Sequence, residues 1–177
     1  MNKVFILDFG SQYTQLIARR VRELGVYAEI HPYFISPSFL KKESPQALIL
    51  SGGPQSVYEP KAPLISSEIF NLNIPILGIC YGAQLIAHLL GGKVISAKKR
   101  EYGLAELKVI DQSGLLHGLP KISPVWMSHG DQIKKVPPGF VIAGITANTR
   151  ATVIENKNRR IFGVQFHPEV AHTAEGK

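Results

Sequence analysis

The strongest chemical signal in the sequence is Gly78-Ile79-Cys80-Tyr81-Gly82-Ala83-Gln84, where an apolar run enters a Gly-x-Cys-x-Gly turn and a helical pattern leaves it. Glycines two positions either side of a nucleophile permit a sharp, strained turn, the thiol counterpart of the serine elbow. Such a turn lifts the sulfur above the carboxyl edge of a sheet, where open α/β sheets bind their ligands. It also sets Cys80 at the start of a helix, whose dipole favours thiolate over thiol. A lone cysteine is more often an inert core residue. The paired glycines favour the nucleophile.

A thiol nucleophile needs a base. Phe162-Gly163-Val164-Gln165-Phe166 reads as a strand and runs into His167-Pro168-Glu169. Proline favours extended geometry in itself and in its predecessor, which projects positions 167 and 169 to the same side. Glu169 then accepts a hydrogen bond from one imidazole nitrogen of His167 and leaves the other facing Cys80, as in a Cys-His-carboxylate triad. Acyl transfer also needs donors for the oxygen that becomes anionic. Ser51-Gly52-Gly53-Pro54 ends a buried strand, and the N–H groups of Gly53 and Tyr81 form the expected oxyanion pair. Ser-Gly-Gly-x-x-Ser at 51–56 also resembles the pyrophosphate loop of ATP pyrophosphatases. Gln55 stands where that loop carries Asp, and no helix opens cleanly after Pro54, so the phosphate reading is rejected.

The remaining histidines invite plainer readings. His31 in a loop before Pro32, His88 on a helix, and His117 and His172 in turns are expected to serve surface or packing roles. Met127-Ser128-His129-Gly130-Asp131 follows the strand-like Val125-Trp126 and gathers polar and turn-forming residues. On chemistry alone it reads equally as a functional segment or a simple loop.

The elements that must carry these groups alternate between strand-like and helix-like over the first half, the mark of a parallel sheet wrapped by helices. Residues 3–9 form the near-continuous apolar run of a strand buried on both faces. In 13–24, Tyr13, Leu16, Ile17, Val21 and Leu24 fall at helical spacing, and Gly25 stops the helix. Strands are expected at 26–30, 47–50 and 74–79, and helices at 64–72 and 82–90, the last closed by Gly91-Gly92. After residue 92 only short strand-like stretches occur, at 93–97, 104–110, 124–128, 140–147, 151–155 and 161–166. The expected fold is therefore α/β, an open and mostly parallel sheet flanked by helices, with a β-rich second half. No linker divides the chain, so 1–177 reads as a single domain. The polar tail 171–177 stops where such a sheet would commonly receive one more covering helix, and a fragment of a longer polypeptide is the expectation.

At 177 residues, 45% hydrophobic and 19% charged, the chain has the size and composition of one compact soluble domain. No run approaches the roughly 20 apolar residues of a membrane span. One cysteine forms no internal disulfide and six scattered histidines offer no structural zinc spacing, so a cytoplasmic location without a metal site is expected. Lys and Arg number 20 against 13 Asp and Glu, a net charge of +7. They are dispersed: Arg19, Arg20 and Arg22 on a helix, 98–100 in a loop, Arg159-Arg160 in a turn. With no arginine-rich arm or nucleic-acid motif, the excess reads as a solvated surface or a face for an acidic partner domain.

In order and spacing, the 78–84 elbow, the 51–54 turn and His167-Pro168-Glu169 resemble the class I (triad) glutamine amidotransferases. Leu7-Asp8-Phe9-Gly10-Ser11-Gln12-Tyr13-Thr14, Arg100-Glu101-Tyr102-Gly103 and the 127–131 segment look more narrowly like the glutaminase domains of GMP synthetases. The resemblance spans residue 2 to about 173 and implies a flavodoxin-like core. It implies that Cys80, His167 and Glu169 hydrolyse L-glutamine through a γ-glutamyl thioester. It also implies that Gln84, Ser128, His129 and Asp131 contact the α-amino and α-carboxylate groups of glutamine. No cofactor is implied for this domain. ATP and Mg would serve a separate ATP-pyrophosphatase domain or subunit, which converts adenylated XMP to GMP by amination. The full-length protein would be a homodimer through a region absent from this sequence, with neither nucleic acid nor membrane as partner. Other readings stay open: another class I amidotransferase, a different cysteine hydrolase on this scaffold such as a γ-glutamyl hydrolase or peptidase, or a non-catalytic regulatory module that keeps the fold.

Overall fold

The computed structural model describes residues 3–176. Its strands are β1 (Lys3–Asp8), β2 (Tyr27–Pro32), β3 (Ala47–Leu50), β4 (Ile76–Ile79), β5 (Lys93–Val109), β6 (Ile122–Lys135), β7 (Val141–Ile145), β8 (Val153–Asn156) and β9 (Ile161–Val164). They join in one sheet of order β2-β1-β3-β4-β9-β8-β7-β5-β6. From β2 to β9 neighbouring strands run parallel, and from β9 to β6 they run antiparallel. The helices are α1 (Thr14–Glu23), α2 (Pro37–Glu43) and α3 (Tyr81–Leu89). The expected α/β class holds, and the β-rich second half continues the main sheet. Among the described residues, no helix is long and apolar enough to cross a membrane.

Strand alternation divides the core between the two faces. Phe5 and Leu7 of β1 pack with Leu40 of α2 and Leu85 of α3, whereas Ile6 packs with Ile17 and Ala18 of α1 on the other face. The parallel strands follow the flavodoxin-like order, and the chain changes its direction of strand addition between β1 and β3. That switch opens a crevice beyond the strands' carboxyl ends, between the loops following β1 and β3.

Several local expectations need correction. The helix expected at 64–72 is only a 3₁₀ turn, Ser67–Asn71, capped by Ser66 and followed by Asn73 at φ +55. The stretches 93–97 and 104–110 are one strand, and 98–100 lies within it rather than in a loop. His31 belongs to β2, where it pairs with Leu7 and its ring lies 4.2 Å from that of Phe5. The 127–131 segment is strand, not loop. Helix α2 was not expected, although Ser36-Pro37 marks its start: the Ser36 hydroxyl accepts from Phe39 N–H and Pro37 opens the first turn.

Candidate active site

Strand β4 delivers Cys80 to the carboxyl edge of the sheet with φ +50 and ψ −104, a strained conformation for a residue with a side chain. Neighbouring hydrogen bonds hold it there. Cys80 N–H donates to the Val164 carbonyl at 2.8 Å, and the Ala83 and Gln84 N–H groups donate to the Cys80 carbonyl at 3.1 Å. The flanking glycines act through close approach. A Cβ on Gly78 would lie 2.5 Å from the Gly82 carbonyl, and one on Gly82 would lie 2.3 Å from the Leu50 carbonyl oxygen. The positive φ falls on the nucleophile itself, while its glycine neighbours let strand, turn and helix pack without clash.

His167 and Glu169 follow β9, the strand paired with β4. The backbone turns at 168–169 instead of continuing extended, and this turn makes the expected contact: His167 Nδ1 lies 2.7 Å from Glu169 Oε1. His167 is held by its N–H donating to the Trp126 carbonyl and its carbonyl accepting from the Thr173 hydroxyl. The Tyr13 ring meets the imidazole edge-on, 5.2 Å between centroids. Burial lowers the proton affinity of His167, but hydrogen bonds and charge interactions with Cys80 and Glu169 outweigh it and raise the imidazole pKa to about 10. The structure thus brings Cys80, His167 and Glu169 together.

The turn after β3 is built on Ser51. Its buried hydroxyl accepts from Phe9 N–H at 3.0 Å, and its carbonyl accepts from Gly82 N–H at 3.1 Å, which ties β1, β3 and α3 together. Gly53 sits so close to β1 that a Cβ there would lie 2.7 Å from the Phe9 carbonyl oxygen. Among the described residues, neither Gly53 N–H nor Tyr81 N–H donates to a protein acceptor. Gly53 and Cys80 border a cavity of about 590 Å³, together with Gln84, Ser128, His129, Asp131 and His167.

Strand β6 forms the opposite wall. Cys80 Sγ lies 3.6 Å from the Ser128 carbonyl oxygen, and Gln84 Nε2 donates to the Asp131 carbonyl at 3.1 Å. The Asp131 carboxylate accepts from the hydroxyls of Ser56 and Tyr58, the latter at 2.8 Å. His129 is buried with Nε2 3.6 Å from Glu101 Oε2, an ion-pair distance. Burial raises the Glu101 pKa, but His129 and the hydroxyls of Thr149 and Thr146 lower it further, leaving it below the usual carboxylate value. Every sequence-predicted site residue therefore reaches the cavity or the residues bordering it. Ser56 entered the sequence reading only as the end of the rejected phosphate-loop pattern, and Tyr58, Thr146 and Thr149 carry no local signal, because each of the four acts on a partner at least 45 positions away. Glu101 and Tyr13 lie inside the motifs already singled out, but their partners are not apparent from spacing.

The family model for class-I glutamine amidotransferases matches residues 5–177. A "GMP synthase [glutamine-hydrolyzing]" of Brachyspira hyodysenteriae is 54% identical over 99% of this chain and 34% of its own length. One of the same description from Aquifex aeolicus is 51% identical over 98% of this chain and 34% of its own. The chain thus spans about a third of the length of these curated relatives. A crystal structure described as that of a putative GMP synthase component from Thermoplasma acidophilum superposes with a TM-score of 0.90 at 37% identity, covering 99% of this chain and 88% of that one. A glutamine amidotransferase of Thermotoga maritima shares the fold, with a TM-score of 0.75 at 21% identity over 96% of this chain and 76% of that one. By the family match over nearly its whole length, this chain belongs to the class-I glutamine amidotransferases.

Proposed function

We propose that this chain is the glutaminase component of a GMP synthetase, hydrolysing L-glutamine at Cys80 and passing ammonia to a synthetase domain or subunit. The observation that carries the reading is that Cys80 and His167 border one cavity of about 590 Å³, with His167 Nδ1 2.7 Å from the buried Glu169 carboxylate. His167, oriented by Glu169, takes the thiol proton, and its raised proton affinity favours the imidazolium that results. The sulfur attacks the side-chain amide carbon of glutamine. The N–H groups of Gly53 and Tyr81 then receive the tetrahedral oxyanion, each worth about 3 kcal/mol of transition-state stabilisation. His167 returns its proton to the departing nitrogen, which leaves as ammonia and yields a γ-glutamyl thioester. Neutral His167 next draws a proton from water, whose oxygen attacks the thioester; glutamate departs and the thiol is restored.

Gln84, Ser128, His129 and Asp131 are the residues we assign to the amino-acid end of the substrate. The relatives' printed names support assigning the ammonia to GMP synthesis. On this reading adenylated XMP is aminated in the cytoplasm by an ATP- and Mg-dependent pyrophosphatase domain or subunit, and the assembly dimerises through that other region. A shielded transfer is advantageous because free ammonia is mostly protonated at neutral pH, and ammonium is not a nucleophile.

Acid quenching of the chain during glutamine turnover, followed by intact-mass measurement, tests the chemistry. A γ-glutamyl adduct on Cys80 is expected. Absence of both adduct and ammonia release, even with a synthetase partner from a close relative present, would remove the assignment.

A further inference from the structure

Arg100 lies on the rim of the cavity with no role in the mechanism above. Between the pairs Ser96↔Asp131 and Glu101↔His129, strand β5 has four residues (97–100) where β6 has one, Gly130. A bulge of this kind re-aims side chains. It sets Arg100 over Gly130, with Nε 3.7 Å from where a Gly130 Cβ would be. The Arg100 side chain makes no hydrogen bond or ion pair among the described residues. It is the one Lys or Arg among the described residues lining the cavity, and Asp131 is the one Asp or Glu. The two opposite charges flank Gly130, and the Asp131 carboxylate is steadied by Ser56 and Tyr58.

We propose that Arg100 recognises the α-carboxylate of the amino-acid substrate while Asp131 takes its α-ammonium, so the pair selects for a free zwitterionic head group. This deepens the glutaminase reading and rests on it. A guanidinium meets a carboxylate through two parallel N–H donors, a geometry that a neutral amide does not match. Arg100 acts as a specificity-determining residue, remote from the bond that breaks.

The test compares two electrophiles with the chain as it stands. One is a chloroketone analogue of L-glutamine with its α-carboxylate free, and the other is the same compound as the α-carboxamide. Each alkylates Cys80 as the sulfur displaces chloride, and intact mass follows the rate, with iodoacetamide as the control for thiol reactivity. The wild type should favour the carboxylate probe by about ten- to a hundred-fold, the range of a charged hydrogen bond. Arg100→Gln should bring that ratio close to one, and Arg100→Lys should keep part of it. An unchanged ratio in Arg100→Gln, or equal rates in the wild type, overturns the role of Arg100 while leaving glutamine chemistry at Cys80 intact. If neither probe labels the wild type while iodoacetamide does, the glutaminase reading falls and takes this inference with it.

Discussion

The elbow around Cys80 and the β5–β6 wall facing it are built on opposite terms. At the elbow, backbone presses on backbone: added methyl groups at Gly78 or Gly82 would lie 2.5 and 2.3 Å from carbonyl atoms. Along the wall, a methyl on Gly130 would meet nothing nearer than 3.7 Å, and side chains are positioned by cross-strand register and by buried hydrogen bonds from Thr146 and Thr149 to Glu101. The nucleophile's geometry is thus dictated by close contacts among three elements. The wall has room to vary, which suits a surface that selects the substrate.

Substitutions break this comparison in graded steps. Cys80→Ala should cut glutamine-dependent ammonia release by about 10⁴-fold or more, since removing the nucleophile removes the covalent route. Gly82→Ala should destabilise the chain by about 3 kcal/mol or more in urea denaturation, because its new methyl group meets a backbone carbonyl, which yields little. Asp131→Asn should raise KM for glutamine by about tenfold with a smaller change in kcat, reflecting one lost charge contact at the substrate's amino end. Gly130→Ala, on the roomy wall, should cost less than about 1 kcal/mol. If Gly130→Ala proved as damaging as Gly82→Ala, the contrast between the two walls would collapse.

The same contrast explains how much was legible in the sequence. Gly78, Cys80 and Gly82 announce an elbow because the pattern is confined to five residues, even though the neighbour that demands glycine at 82 is the Leu50 carbonyl of β3. His167 and Glu169 were legible for the same reason, although a turn at 168–169 rather than an extended chain makes their contact. The parallel half of the sheet followed from alternating strand and helix patterns. The wall was less legible: whether 127–131 was strand or loop depends on pairing with β5 across a bulge, which no local period encodes. Likewise, nothing near Asp131 in sequence foretells the hydroxyls of Ser56 and Tyr58, 75 and 73 positions away. The short 3₁₀ turn at 67–71 misled in the other direction, because its apolar spacing imitates a longer helix.

Protonation of His167 links the site to stability. Its pKa in the folded chain, raised to about 10, exceeds the roughly 6.5 of an unfolded imidazole. Its contribution is fully present below about pH 6.5 and is lost as pH rises through about 10. Urea midpoints should therefore fall across that window in the wild type, and fall less in Cys80→Ala.

A direct titration of the His167 ring by NMR, in the wild type and in Cys80→Ala, examines the sulfur–imidazole pairing itself. The wild-type ring should stay protonated to about pH 10, and losing the sulfur should move its titration to lower pH. A wild-type ring titrating near 6.5, unmoved by the substitution, would contradict the pairing.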